Sequence, residues 1–175
     1  MAGIIKVNQY QDFNGNTILT SDGNGNLTTQ EILHPAFHVN TASTSLSNNT
    51  HTTIPFTTED RDTNNLYDTS TGKFTVTSST TGHYFFYAAI GTAVITANRI
   101  QINFMKNGTD SSNRMLTCET QSDTSGYPAP NVSGVIPMLS SGDFVMVQAY
   151  QNSGGSISLS GESNKNFFGG YRIGS

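Results

Sequence analysis

The chain has 175 residues, enough for one domain with a sizeable core. Only 11% of them are charged, the formal net charge is −4, and no basic run occurs, which excludes a binder of nucleic-acid phosphates. Hydrophobic residues make up 34%, helix-favouring surface residues are scarce, and Ser, Thr and Asn fill much of the remainder, a composition that suits strands and turns.

Residues 1–33 differ from the rest of the chain. "IIKVNQY" and "NTILT" are short strand-like runs, punctuated by Asn14-Gly15 and by "SDGNGN", Ser21 to Asn26. They predict an arm of one or two β-hairpins, too poor in apolar residues to fold alone and therefore expected to pack on a partner. "SDGNGN" also has the alternating oxygen ligands of a calcium loop. An EF-hand, however, needs Gly at its sixth position and Glu at its twelfth. Counting from Asp22 these are Leu27 and Leu33, so the stretch reads as a glycine-rich turn and no metal is expected. The opening "MAGIIKVNQYQD" lacks the apolar centre of a signal peptide, which predicts synthesis in a cytoplasm, and no stretch is long enough to insert in a membrane.

From His34 onward the pattern is strand, turn, strand. "AFHV" is a short strand, and "KFTVT", "RIQINFMKNG" and "SISLS" alternate apolar and polar residues. Strands and turns at this spacing predict a sandwich or barrel. His34 and His38 are four apart, but Pro35 argues for extended chain, in which they stand about 13 Å apart, too far to share an ion. "TEDRDTNN" gathers Glu59, Asp60 and Asp62 around Arg61 and reads as a solvated loop with a local ion pair. Cys118 is the single cysteine and reads as a small buried hydrophobe. "SGYPAPN" sets Tyr127 among turn residues, the one candidate loop for stacking a ligand.

Two strands break the alternation. In "HYFFYAAI", Tyr84, Phe86, Ala88 and Ile90 share one face, and Phe85, Tyr87 and Ala89 the other. In "FVMVQAY", Val145, Val147 and Ala149 lie opposite Phe144, Met146 and Tyr150. One face of each enters a core. The other needs cover, from a loop of the same chain or from a subunit interface, and its occurrence in two strands favours the interface. Phe85, Tyr87, Phe144, Met146 and Tyr150 are thus the expected subunit contacts. Chemistry-bearing motifs are missing: there is no Gly-x-Ser-x-Gly elbow, no Cys-x-x-Cys and no phosphate loop, while His51 and His83 stand apart. No catalysis and no cofactor is expected.

Four blocks in order carry a family likeness: "YDTSTGKFTVTSSTTGHYFFY" (67–87), "FMKNGT", "LSSGDFVMVQAY" and "FGGYRI" (168–173). Together they resemble the globular-head family of complement's first component, subunit q. That resemblance covers residues 34–175 and implies an all-β, ten-stranded jelly-roll sandwich close to the tumour necrosis factor fold, assembled as a homotrimer, with Phe74, Tyr84 and Phe86 in its core. The family's secretory signal and collagen stem are missing from this sequence, its calcium sites have no match, and its immune role does not carry over. The arm at residues 1–33 is similar in style to the hairpins of bacteriophage virion proteins. The expectation is a non-enzymatic protein of the virion surface: a trimeric capsid decoration, knob or head fibre, anchored to other virion proteins by residues 1–33. The alternative is a tail-associated module that binds a receptor or a host surface glycan.

Overall fold

The computed structural model describes residues 7–25, 27–29, 34–41, 44–92, 99–121 and 127–174. Residues 4–6 of the first expected run, Leu33, and Ser125 and Gly126 beside Tyr127 lie outside the described residues. The chain divides into two compact units, Met1–Leu33 and His34–Ser175.

The first unit is an antiparallel sheet. The hairpin of β1 (Gln9–Gln11) and β2 (Thr17–Ser21) is extended by β3 (Leu27–Thr29) in the order β1-β2-β3. Short polar side chains build its turns. Asp12 Oδ1 accepts the amides of Asn14 and Asn16 at 2.9 and 2.8 Å, and Gly15 takes the positive φ that closes the loop. In "SDGNGN", Asp22 Oδ1 accepts the Asn24 amide at 2.7 Å, with Gly23 and Gly25 at φ 82° and 93°. Asp22–Gly25 form a turn, and Asn26 lies outside the described residues. None of the unit's described side chains is buried, and Val7, Tyr10, Phe13 and Ile18 are exposed.

The second unit is a sandwich of antiparallel sheets. In chain order its strands are β4 (Ala36–Asn40), β5 (Ser45–Leu46), β6 (Thr52–Thr53), β7 (Thr58–Asp62), β8 (Tyr67–Asp68), β9 (Lys73–Thr75), β10 (Gly82–Ala89), β11 (Arg99–Lys106), β12 (Arg114–Gln121), β13 (Asn131–Met138), β14 (Phe144–Gln151), β15 (Ile157–Ser158) and β16 (Phe167–Gly174). The first sheet runs β13-β10-β16-β4-β7. The second runs β12-β11-β14-β9-β8, with β6 also paired to β14. A short pair, β5 and β15, stands apart. This is the jelly-roll sandwich that the sequence predicts. Among the described residues no helix is long and apolar enough to cross a membrane.

Aromatic rings fill the space between the sheets. Phe56, Phe74, Tyr84, Phe86, Phe104 and Phe168 are wholly buried and Phe37 nearly so. Phe37 stacks on Phe74 with centroids 4.4 Å apart and meets Phe168 edge-on at 4.8 Å. Such pairs add about 0.5–1.5 kcal/mol each beyond the area they bury. Burial desolvates the Tyr84 phenol and pushes its pKa up to about 12, against the opposing charge of Arg172 and its hydrogen bond to the Thr80 carbonyl.

The core is seated on two consecutive glycines in β16, the middle strand of the first sheet. Gly170 pairs with both Phe86 and Phe37. A methyl group added to it would lie 2.6 Å from the Phe86 ring and 2.9 Å from the Phe85 carbonyl. Gly169 faces outward, and a methyl there would lie 2.5 Å from the Tyr87 ring. Space, not backbone conformation, requires both glycines.

Two segments depart from the sequence reading. "TEDRDTNN" is not a loop at its start: Thr58–Asp62 form edge strand β7. Its charges blunt that edge instead of making a local ion pair. Asp62 Oδ2 caps the Tyr67 amide at 2.7 Å, and Asp60 turns to β4. β13 gives no strand signal, because Gly134 and Pro137 interrupt it. Both fit an edge: Pro137 has no partner strand to donate to on the open side, and Gly134 leaves room for Leu116 of β12, whose methyl would meet an added Cβ at 2.5 Å.

A polar knot pins one end of the sandwich. Lys106 Nζ reaches Asp143 Oδ2 at 3.0 Å and donates to the Pro137 carbonyl at 2.6 Å, joining the second sheet to the first. Asp143 also accepts from Asn107 Nδ2 and from the amides of Leu139 and Ser140, at 2.7, 3.0 and 3.2 Å. Burial works to raise its pKa, but these hydrogen bonds and the lysine outweigh it and hold the carboxyl below its ordinary value. A depressed folded pKa stabilises the fold above the unfolded value, near 3.8, and that contribution disappears as pH falls through the lower folded value. Asp143→Asn is expected to cost about 1–3 kcal/mol at neutral pH and to flatten the fall in stability below about pH 4. Urea unfolding at pH 7 and pH 3 measures both.

Candidate functional site

The outer faces of the two sheets differ in how they are covered. On the second sheet, neighbouring side chains of the same chain lie over the apolar residues. Met146 is buried, with Met105 as its cross-strand neighbour and the Thr53 hydroxyl 3.7 Å from its sulfur. Lys73 Nζ sits 4.4 Å above the Phe144 ring. Tyr150 lies under the Arg99 guanidinium and against His51, and its hydroxyl donates to Asn49. A β-bulge sets this arrangement: Phe104 pairs with Leu116 but Met105 with Arg114, so Met115 is the extra residue and Arg114 turns to the outer face. There it donates to His51 Nε2 at 3.3 Å. Burial, then the charges of Arg114 and Arg99, push the His51 pKa down, so the imidazole is neutral and can accept.

The outer face of the first sheet is open. Phe85 lies between Val135 and Tyr171, its partners in β13 and β16. Its ring centroid is 5.6 Å from that of Tyr171. Val135, Tyr171 and Ile173 are 49%, 46% and 50% exposed, and Phe85 is half-buried. The five residues expected to form one interface therefore do not form one patch. Phe85 and Tyr87 belong to this face; Phe144, Met146 and Tyr150 belong to the other sheet, whose outer face points away from it. Periodicity marks both strands as apolar on two sides but cannot say that they lie in different sheets.

Beside the apolar strip Tyr87 lies across Gly169, and its hydroxyl meets His38 Nδ1 at 3.2 Å. Burial, then the neighbouring Tyr171, raise the Tyr87 pKa, so the phenol keeps its proton. His38 Nε2 is 3.8 Å from Asp60 Oδ2. Asp60 Oδ2 also accepts from Asn40 Nδ2 at 2.7 Å. Asp60 is the extra residue of a second bulge, since His38 pairs with Arg61 and Val39 with Glu59. His38, Asn40 and Asp60, with Ser163, Asn164 and Phe167 from the turn leading into β16, line an open cleft of about 440 Å³. Tyr127 is 73% exposed. Cys118 is half-buried against the core. Among the described residues no three His, Cys, Asp or Glu side chains are grouped to hold a metal.

The second unit is thus a jelly-roll sandwich with one exposed apolar sheet face and an open polar cleft. Residues 36–173 match the C1q domain, and the chain belongs to that family. Domains of the family are non-enzymatic binding modules and typically form homotrimers. Among solved structures, the globular domain of zebrafish complement 1qA is 18% identical, with a TM-score of 0.57, over 79% of this chain and 97% of that one. Murine APRIL is 18% identical with a TM-score of 0.61, over 80% and 99%. The Eiger TNF of S. frugiperda is 18% identical with a TM-score of 0.56, over 81% and 94%. At these identities the structures share the fold alone. No curated protein matches the chain.

Proposed function

We propose that the second unit is a homotrimeric binding module joined through the outer face of its first sheet. The observation that carries this is the exposed strip of Val135, Phe85, Tyr171 and Ile173. An apolar sheet face of this kind is a normal subunit contact, and homotrimers are typical of the family. The second sheet's outer face is closed by its own arginines, lysine and histidine and does not take part.

Our finer reading is a bacteriophage virion surface protein, made in the host cytoplasm: a capsid decoration, knob or head fibre bound to other virion proteins through residues 1–33. Its support is the arm. A small sheet with no buried described side chain and with Val7, Tyr10, Phe13 and Ile18 exposed gains stability only by docking. Among the described residues its strands β1 and β3 are the edges of the sheet, which a partner sheet can extend. Three arms per trimer would strengthen a weak attachment through effective concentration. The second reading, a tail-associated tip that binds a receptor or glycan, is favoured by the cleft at His38 and Asp60.

Light scattering of the full chain is expected to give a trimer, and Phe85→Asp a monomer. The half-buried Phe85 position makes the loss of folding stability small, about 0.5–1 kcal/mol, so dissociation and unfolding are separable by urea denaturation. A monomeric natural protein contradicts the trimer. Deleting residues 1–33 is expected to leave a folded trimer that is missing from purified particles; incorporation at normal copy number shows that the arm is not the anchor.

A further inference from the structure

We propose that the trimer is acid-labile, with His38 and His83 as the groups whose protonation releases it. The proposal rests on the homotrimer reading and adds its regulation: joined protomers at neutral pH, separate protomers at mildly acidic pH.

The titratable side chains are unevenly placed. Two of the chain's four histidines point out of the open face of the first sheet. His83, near the start of β10, is exposed and pairs with Pro137 and Gly174. It stands two residues before Phe85 and so shares the face of the apolar strip. His38 pairs with Gly169, its side chain is 37% exposed, and its ring lies against Tyr87 and Phe167. Gly174 and Gly169 lie toward opposite ends of β16, so the two imidazoles bracket the strip. Of the other histidines, His51 is on the second sheet's outer face and His34 is exposed ahead of β4.

The charges around them cancel. From β7, Asp60 and Arg61 face His38: Asp60 Oδ2 is 3.8 Å from Nε2, and Arg61 is the cross-strand partner. From β10 the Tyr87 phenol faces it, with Tyr171 of β16 beyond. At the turn before β16, Lys165 and Glu162 pair at 2.7 Å. Beside His83, Lys106 reaches the Pro137 carbonyl but is balanced by Asp143. Glu59 and Asp62 pair with Val39 and Phe37, whose side chains enter the core, and Arg172 is turned to the Ser79 and Thr81 carbonyls. With both imidazoles neutral, Asp60 cancels Arg61 and the face carries no net charge. With both protonated, two positive charges per protomer have no carboxylate left to offset them.

Joining three protomers through this face takes the imidazoles out of water and brings their copies together. Desolvation and like charge both disfavour the protonated form, so the trimer binds fewer protons than three separate protomers. By linkage its advantage is complete while the histidines are neutral and is lost as pH falls through the range in which imidazole titrates. Carboxylates titrate lower, and the Asp143 knot lets go only below about pH 4, so the protomer outlasts the joint.

The test is sedimentation velocity of the full chain over a dilution series at pH 7.5 and pH 5.0, with near-ultraviolet circular dichroism to follow the fold of the protomer. A trimer is expected at pH 7.5, with its dissociation constant raised about a hundredfold or more at pH 5.0; a shift of about one pKa unit at only two sites of the assembly is that large. The double variant His38→Gln/His83→Gln, whose carboxamides form hydrogen bonds but take no proton, is expected to be a trimer at both pH values. His83→Gln alone, at an exposed position, is expected to lessen the response, and His51→Gln to leave it whole. A natural trimer indifferent to pH, a double variant that responds fully, or one that is monomeric at pH 7.5 overturns the proposal. A natural protein that is monomeric at pH 7.5 defeats the trimer reading itself, whereas a trimer that persists at pH 5.0 defeats its regulation alone.

Discussion

Everything in the second unit is built around the missing side chains of Gly169 and Gly170. Each strand neighbour of β16 sends an aromatic ring over this pair, one set inward and one outward. Phe86 and Phe37 occupy the space where a Gly170 side chain would stand, and from there they meet Phe104 and Phe74 of the second sheet. Tyr87 does the same over Gly169 on the outer face, which brings its hydroxyl to His38. Two adjacent residues therefore serve opposite faces: one packs the core, the other aims the site. A glycine in a central strand forgoes strand propensity, and the ring packing that each face obtains in return explains why two occur together.

The contrast between the sheets then comes from the side chains that lie beyond their outer faces. The second sheet bears Arg99, Arg114, Lys73 and His51, long or flat polar side chains that close over Phe144, Met146 and Tyr150. Stems of this kind cover apolar surface while their charged ends remain in water. Among the described residues the first sheet carries no such screen over Val135, Phe85 and Tyr171. An acidic chain has thus placed several of its few cations over one outer face. The same open face carries the cleft lined by His38, Asn40 and Asp60.

The fold was legible in the sequence because its long strands are marked by period-two alternation and by apolar runs at Gly82–Ala89 and Phe144–Gln151. Family-like blocks such as "FGGYRI" added the topology. The edges were less legible. β7 is charged from Glu59 to Asp62 and β13 contains Gly134 and Pro137, so neither has the apolar signature of a strand, although both are ordinary edges. The site was legible only in fragments. His38 and Asp60 stand apart in the chain, Phe167 falls just before the closing block 168–173 and carries no signal of its own, and the bulge that turns Asp60 is a register shift that no local pattern encodes. Likewise, two doubly apolar strands look alike in sequence, and only the sheet order shows that their outer faces point apart.

If Gly170 is required for space, strand propensity and core packing give opposite signs for Gly170→Ala. Alanine in a strand interior is favoured by about 0.5–1 kcal/mol, whereas overpacking a filled core costs about 1–3 kcal/mol. Urea unfolding of Gly170→Ala against the natural protein decides between them. A lower midpoint is expected, with a net loss of stability of about 1–2 kcal/mol. A midpoint that is unchanged or raised would contradict the requirement for space at Gly170.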